Sequence, residues 1–442
     1  MSDAVVVIGS GVNELVAAHM LARAGRRVVL IAGCAAEDGI GWIVPRIVRE
    51  LALQDVKIDQ PDPWAMAPLA DGRRLELWRD MARSVESIRQ LSARDAAKWP
   101  AFCERMARLA RFLERLYGEA PPDPLSIGFA LHARGLGRQG LTDLLRLLPM
   151  PVADLLDDWF ESDALKGVLG AAGMAHLQQG PRSGGTAFGL LHHHVGSPLG
   201  VFRPPRSNLR EVLVKLSGIE IRYDAEVARI DVRDGRVVGV VIANGEELAG
   251  SLVVSGAAPR RTLLEFIDPG WLDPELARAV RHIRCRSAVA RVTLQLDRAP
   301  GFSTLVIAPS LDYLERAYDD AKYGHVSREP WLEASCDERH RLDVRIRYAP
   351  SKLDDGDLVV RMLSGHLQGA TVIERSVARP PEDQAELSLD QALWMRPLPE
   401  LARYRTPIKG LWLCGPAMHP GGGVAGAAGY HCAREIKENS NA

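Results

Sequence analysis

Apolar positions along this chain recur with two periods. Ala4 to Ile8 is a β-branched run. Val12 to Ala24 then places Leu15, Ala18, Leu21 and Ala22 at helical spacing. Gly25 ends that stretch, and Val28 to Ile31 is a second apolar run of strand length. The pattern predicts β-α-β over residues 4–32, then a short helix and loop over 43–55. From 80 to 180 the helical period dominates. Ser92 with Asp95 is a start signal for a helix through Trp99, Phe102, Met106, Leu109, Leu113 and Leu116. Ala120 to Pro124 breaks it. Leu141 to Leu148, Val152 to Phe160 and Asp163 to Ala175 are further helices, the last rich in alanine and glycine. Gly180 to Pro205 reads as loop.

The second half turns toward strands. Asn208 to Leu216 is helical and Glu220 to Tyr223 extended. Ala225 to Val241 is a hairpin turned by Asp234-Gly235, with a strand at Ser251 to Val254. Ala288 to Leu296, Ser303 to Ile307, Leu342 to Tyr348 and Leu358 to Leu363 fit a second sheet. Leu311 to Lys322 is a helix among them. Gly410 to Cys414 is a short buried strand, Gly415 to Gly426 a loop, and Ala427 to Lys437 a closing helix. No internal repeat is present.

At 442 residues, 47% of them hydrophobic, the chain is long enough for two domains and apolar enough to fill their cores. Lys plus Arg (55) balances Asp plus Glu (56), so nothing argues for nucleic acid. Cys34, Cys103, Cys285, Cys336, Cys414 and Cys432 form neither a CxxC nor a disulfide framework, which suits reduced thiols and a cytoplasmic setting. No apolar run has spanning length. Peripheral membrane contact stays open.

The candidate chemistry lies at the two ends. Gly9 and Gly11 are the first two glycines of a GxGxxG turn between a strand and a helix. One permits the tight turn and the other close approach of a pyrophosphate, which the helix amides and dipole then bind. Gly415 to Gly429 holds six glycines in fifteen residues, a turn that bares backbone amides before a helix. Two departures matter. Glu14 replaces the third glycine, and a charge there opposes a phosphate by about 3 kcal/mol at about 5 Å and an effective dielectric of about 20. Strand two ends Ile31-Ala32-Gly33, without the acid that holds ribose hydroxyls; Glu37 and Asp38 come only later.

GSGVNELVAAHMLARAGRRVVLI, SLDYLERAYDDAKYG with SREPWLE, RYAPSKL, and SLDQALWMRPLPELARYRTPIKGLWLCGPAMHPGGGVAGAAGYHCAREI together resemble the phytoene-desaturase-related branch of the FAD-dependent, amine-oxidase-like oxidoreductases. The resemblance implies an α/β fold. A glutathione-reductase-like Rossmann FAD/NAD(P)-binding domain would come from residues 1–55, 206–265 and 405–442. A mixed-sheet plus helical substrate domain would come from 56–205 and 266–404. It implies FAD lying extended, with Gly9, Ser10, Gly11, Asn13 and position Glu14 at its pyrophosphate. Gly415, His419, Gly422, Gly423 and Val424 would lie by the ribityl chain and isoalloxazine. Relative to that family the chain lacks the GG pair after strand two and about 25 residues there. Arg206-Ser207 replaces another glycine pair, and the chain is shortened near Gln384.

Two functions follow as expectations. One is FAD-dependent oxidation of an apolar or amine-bearing small molecule by hydride transfer to flavin, for which no general base can be named. The other is a degenerate, non-catalytic paralogue with weak or no FAD binding, acting as an accessory or partner-binding subunit. A pocket kept for another nucleotide or an apolar ligand is a minor third. His192, His193 and His194 read as a polar pocket wall rather than a metal site, since no cysteine or acid completes a set. Arg203 and Arg206 are candidates for recognising an acidic group. No nucleophile-elbow sequence supports Ser-His-Asp hydrolysis.

Overall fold

The computed structural model describes residues 4–33, 39–121, 129, 134–286, 289–325, 327–348, 356–378 and 385–440. β1 (Ala4–Ile8), α1 (Val12–Arg23) and β2 (Arg27–Ala32) form the expected opening unit. β1 is buried along its whole length, so it needs apolar residues on both faces, and AVVVI supplies them. It centres a five-stranded parallel sheet drawn from distant parts of the chain. The order is Leu411–Leu413, Leu252–Ser255, β1, β2, Glu220–Tyr223. The C-terminal helix Ala427–Ser440 packs on α1 so closely that a Cβ at Gly429 would overlap the Asn13 carbonyl. The hairpin Val227–Arg233 and Arg236–Ile242 turns at Asp234-Gly235, both at positive φ, as that dipeptide requires.

A second sheet is antiparallel, in the order Thr304–Ile307, Leu332–Cys336, Arg341–Arg347, Val289–Leu296, Val372–Ala378. Its period-2 alternation separates two faces. Val292, Leu294, Leu342, Val344 and Ile346 form one core with Val359 and Leu363 of the helix Gly356–Ser364. Arg291, Glu333, Asp343, Arg345 and Arg347 alternate with them. A small mixed sheet links the two larger ones. In it β3 (Gly39–Ile43) pairs parallel with Gly423–Ala425 and antiparallel with Arg206–Ser207.

The helical stretch follows the sequence pattern. Ser92 Oγ accepts from the Asp95 amide and starts the helix Ala93–Tyr117. Ser162 caps Asp163–Met174 in the same way. Two expectations fail. Residues 358–363 are helical, not extended, and Val359 and Leu363, one helical turn apart, are the residues among them fully buried in the core, with Val360 and Met362 packed at its edge. Thr186–His194, expected as loop, is a helix buried on every side, which erases the one-sided stripe by which a surface helix is recognised.

Candidate nucleotide site and its neighbouring cavity

β1 delivers Gly9 at φ +109°, a conformation that favours glycine, and Gly11 stands at the N-terminus of α1 without a capping side chain. The cap is supplied from inside the helix. Glu14 is 5% exposed, and its carboxyl takes hydrogen bonds from the amides of Gly11 and of Glu14 itself. It fills the hollow bounded by three glycines. A Cβ on Gly9 would lie 3.0 Å from Glu14 Cγ, and one on Gly11 or Gly256 would overlap the carboxyl group. Gly415 closes against the Gly256 carbonyl, so the first and last glycine turns meet here. Burial raises the Glu14 carboxyl to about 7, more than its two amide donors lower it. Ser10 lies beside it with its carbonyl bonded by Arg210 Nε at 3.0 Å.

The other end of the expected cofactor path is also closed. Gly41 lies against the backbone of Gly423 and Val424, and no side chain fits between them. His192 Nε2 donates to the Gly422 carbonyl at 2.6 Å, while its Nδ1 accepts from the Tyr117 hydroxyl at 2.7 Å. His419 is fully buried with its ring edge-on to Tyr117, and burial and His431 drive it down to about 3. Arg396 sits beneath this loop and donates to the carbonyls of Pro416 and Met418. Val424 is a buried residue of the strand that pairs with β3. Arg206-Ser207 is the strand that covers β3 from the opposite edge. Residues 34–38, with Glu37 and Asp38, and Gln384 lie outside the described residues.

These residues do not fit a dinucleotide laid over the turn in the ordinary way. Two amides of the turn and first helical residues, those of Gly11 and Glu14, already have an acceptor, and that acceptor is acidic. The tight backbone pairing of Gly41 with Gly423 occupies the continuation of the path. The charge of Glu14 was legible in the sequence; its direction was not, since a first-turn glutamate more often faces solvent.

The three histidines lie on a helix and not in the loop expected over 180–205. His176 Nδ1 donates to His193 Nε2 at 3.1 Å, and His193 Nδ1 donates to the Ala172 carbonyl at 2.8 Å. His194 Nδ1 donates to the Val201 carbonyl at 2.6 Å. Burial holds all of them below their usual range, His193 at about 4. No group of three or more metal-ligating side chains occurs among the described residues.

His176 and His193 wall a cavity of about 50 Å³ that also meets Arg203, Arg206, Arg345 and Arg347. Asp343 is shared by Arg291 (2.6 Å), Arg206 (3.1 Å) and Arg345 (3.8 Å), and Glu333 faces Arg347 at 3.7 Å. Arg203 bonds Ser335 Oγ at 2.6 Å, and burial with its like-charged neighbours lowers it to about 10. Sequence reasoning singled out Arg203 and Arg206 here but missed His176, Glu333, Arg345, Arg347 and Gly256. The signal available was charge at the non-core positions of the alternating strand Arg341–Arg347.

A discontinuous parallel sheet, a strand–glycine–helix turn and a returning C-terminal glycine turn define a Rossmann-type fold of the kind found in FAD-dependent oxidoreductases. The chain belongs to the family described as flavin containing amine oxidoreductase, whose model matches residues 33–342. Both glycine turns lie outside that span. The chain is similar to pyridine nucleotide-disulfide oxidoreductase domain-containing protein 2 of Rattus norvegicus, at 28% identity over 538 residues, covering 98% of this chain and 92% of that one. It is similar to hydroxyneurosporene desaturase of Cereibacter sphaeroides, at 26% identity over 98% and 97% of the two chains. Among solved structures, an oxidoreductase from Methanosarcina mazei shares the fold at a TM-score of 0.60 and 14% identity, over 98% of this chain and 100% of that one. Family and relatives place the chain among FAD-dependent oxidoreductases in general. Among the described residues, no helix is long and apolar enough to cross a membrane.

Proposed function

We propose that this chain is a non-catalytic member of its family that has exchanged the dinucleotide for a side chain of its own, and that it acts as a ligand-binding or accessory protein. One observation carries the reading: the Glu14 carboxyl lies on the amides of the glycine turn, against Gly9, Gly11 and Gly256. A pyrophosphate placed there would have to displace a buried acid and then sit beside it. The closed pairing of β3 with Gly423–Ala425 supports the same reading. In this state the Glu14 carboxyl takes the amides of Gly11 and of Glu14 itself, part of the donor set that a bound anion would otherwise use.

The family match favours a second reading, FAD-dependent oxidation of a small molecule by hydride transfer. It requires Glu14 to leave the cradle and β3 to separate from Gly423–Ala425. When bound, flavin would supply the hydride acceptor; the chain would orient the substrate and exclude water.

Flavin uptake separates the two. Purified protein is expected to be colourless and to take up no added FAD, whereas Glu14→Gly is expected to gain measurable FAD affinity by calorimetry. Near-stoichiometric flavin absorbance in the wild-type protein would overturn the first reading.

A further inference from the structure

The cavity beside the histidine helix has a charge balance unsuited to the apolar or amine-bearing substrates of the second reading. Around it and on the sheet face behind it stand five guanidinium groups, those of Arg203, Arg206, Arg291, Arg345 and Arg347. Two carboxylates, Asp343 and Glu333, face them, and a third, Asp59, acts on Arg206 from the neighbouring exposed strand. Three of the guanidiniums converge on Asp343 alone. Among the described residues Arg203 has no carboxylate within 4.0 Å, and its two hydrogen bonds go to Ser335 Oγ and the Trp64 carbonyl.

Bringing this much like charge together in a partly buried site, where Arg206 and Arg291 are 30% exposed and Arg345 16%, is unfavourable unless an anion joins it. The histidines do not add charge, since burial keeps them neutral. A cation would meet net repulsion here. Planar guanidiniums are suited to two-point hydrogen bonding with oxyanions.

The size agrees. A volume of about 50 Å³ admits about four water-sized spheres, the bulk of one carboxylate or phosphate group and little more. The remaining wall, from Val168, Ala172 and Phe202, is apolar and suits a short carbon segment. His176 holds its place on this wall at φ +66°, a conformation uncommon for a residue with a side chain.

We infer that this cavity, between the charged face of the antiparallel sheet and the helices Asp163–Met174 and Thr186–His194, binds the oxyanion group of a small molecule, a carboxylate or a phosphate. The inference rests on the first reading, with β3 paired to Gly423–Ala425, because Ile40 of β3 lines the cavity and its histidine wall abuts Gly422 and Gly423.

The test is titration of the full chain with succinate and with inorganic phosphate, at constant ionic strength against chloride, followed by calorimetry and thermal unfolding. Saturable binding of one or both probes is expected, and which probe binds distinguishes carboxylate from phosphate. Arg203→Gln should weaken it by roughly tenfold or more, the loss of a charge-assisted hydrogen bond. Glu333→Gln, which removes negative charge from the wall, should tighten it and serves if Arg203→Gln does not fold. Absence of saturable binding to the wild-type protein overturns the inference. So does binding lost in Glu14→Gly but kept in Arg203→Gln, which would place the anion at the glycine turn. Flavin uptake is read separately, so a failure of this inference is distinguished from a failure of the first reading.

Discussion

Glu14 and Gly256 share one space: the carboxyl at the start of α1 lies where a side chain on the residue after strand Leu252–Ser255 would have to be. Glycine at 256 is thus required by Glu14 rather than by backbone conformation. Gly256→Ala is expected to destabilise the protein by about 2 kcal/mol through overpacking. In a Glu14→Gly background the same substitution should cost under about 0.5 kcal/mol. A double-mutant cycle by urea unfolding measures the coupling, and additive costs would show that the two residues do not meet.

Glu14 also makes stability depend on pH in an unusual direction. Its carboxyl is raised from an ordinary 4.5 to about 7 in the folded protein, so the folded state binds the proton more tightly than the unfolded chain. That contribution is fully present below about pH 4.5 and is lost as pH rises through about 7, amounting to about 3 kcal/mol over that window. The wild-type protein should lose this much relative to Glu14→Gln between pH 5 and pH 8. Parallel stability profiles of the two proteins would contradict the buried position of the acid.

Arg396 organises the last glycine loop from below. It is buried and donates to five backbone carbonyls, those of Ala385, Glu386, Gln391, Pro416 and Met418. Arg396→Met retains much of the apolar bulk but orphans those acceptors. A loss of about 3 kcal/mol or more is expected in denaturant unfolding. A loss below about 1 kcal/mol would mean that the loop holds itself.

Tyr117 connects the long helix to the same loop through His192, whose other nitrogen bonds the Gly422 carbonyl. Tyr117→Phe leaves His192 Nδ1 buried without its donor. The cost should be about 1–3 kcal/mol, with faster amide exchange around Gly422 as the local readout. Unchanged exchange there would separate the tyrosine from the loop.

Much of the fold was legible in the chain. The opening β-α-β unit, the Ser92 cap, the Asp234-Gly235 hairpin and the helix Leu311–Lys322 each depend on neighbours within a few residues, where period and turn chemistry act. Thr186–His194 and residues 356–364 were not, because one is buried all round and the other carries the adjacent β-branched pair Val359-Val360 inside a mostly apolar run of strand length. At the candidate site, the glycine pattern announced an anion cradle and Glu14 announced a conflict.

What the amino-acid sequence determined alone was therefore the set of local elements and the presence of an acid at a phosphate turn. Only the tertiary structure decided where that acid points, that Gly256 and Gly415 enclose it, and that five arginines from three separated segments gather around two carboxylates. The physical reason is that side-chain direction and net charge at a buried point are set by groups distant in sequence, and burial magnifies both.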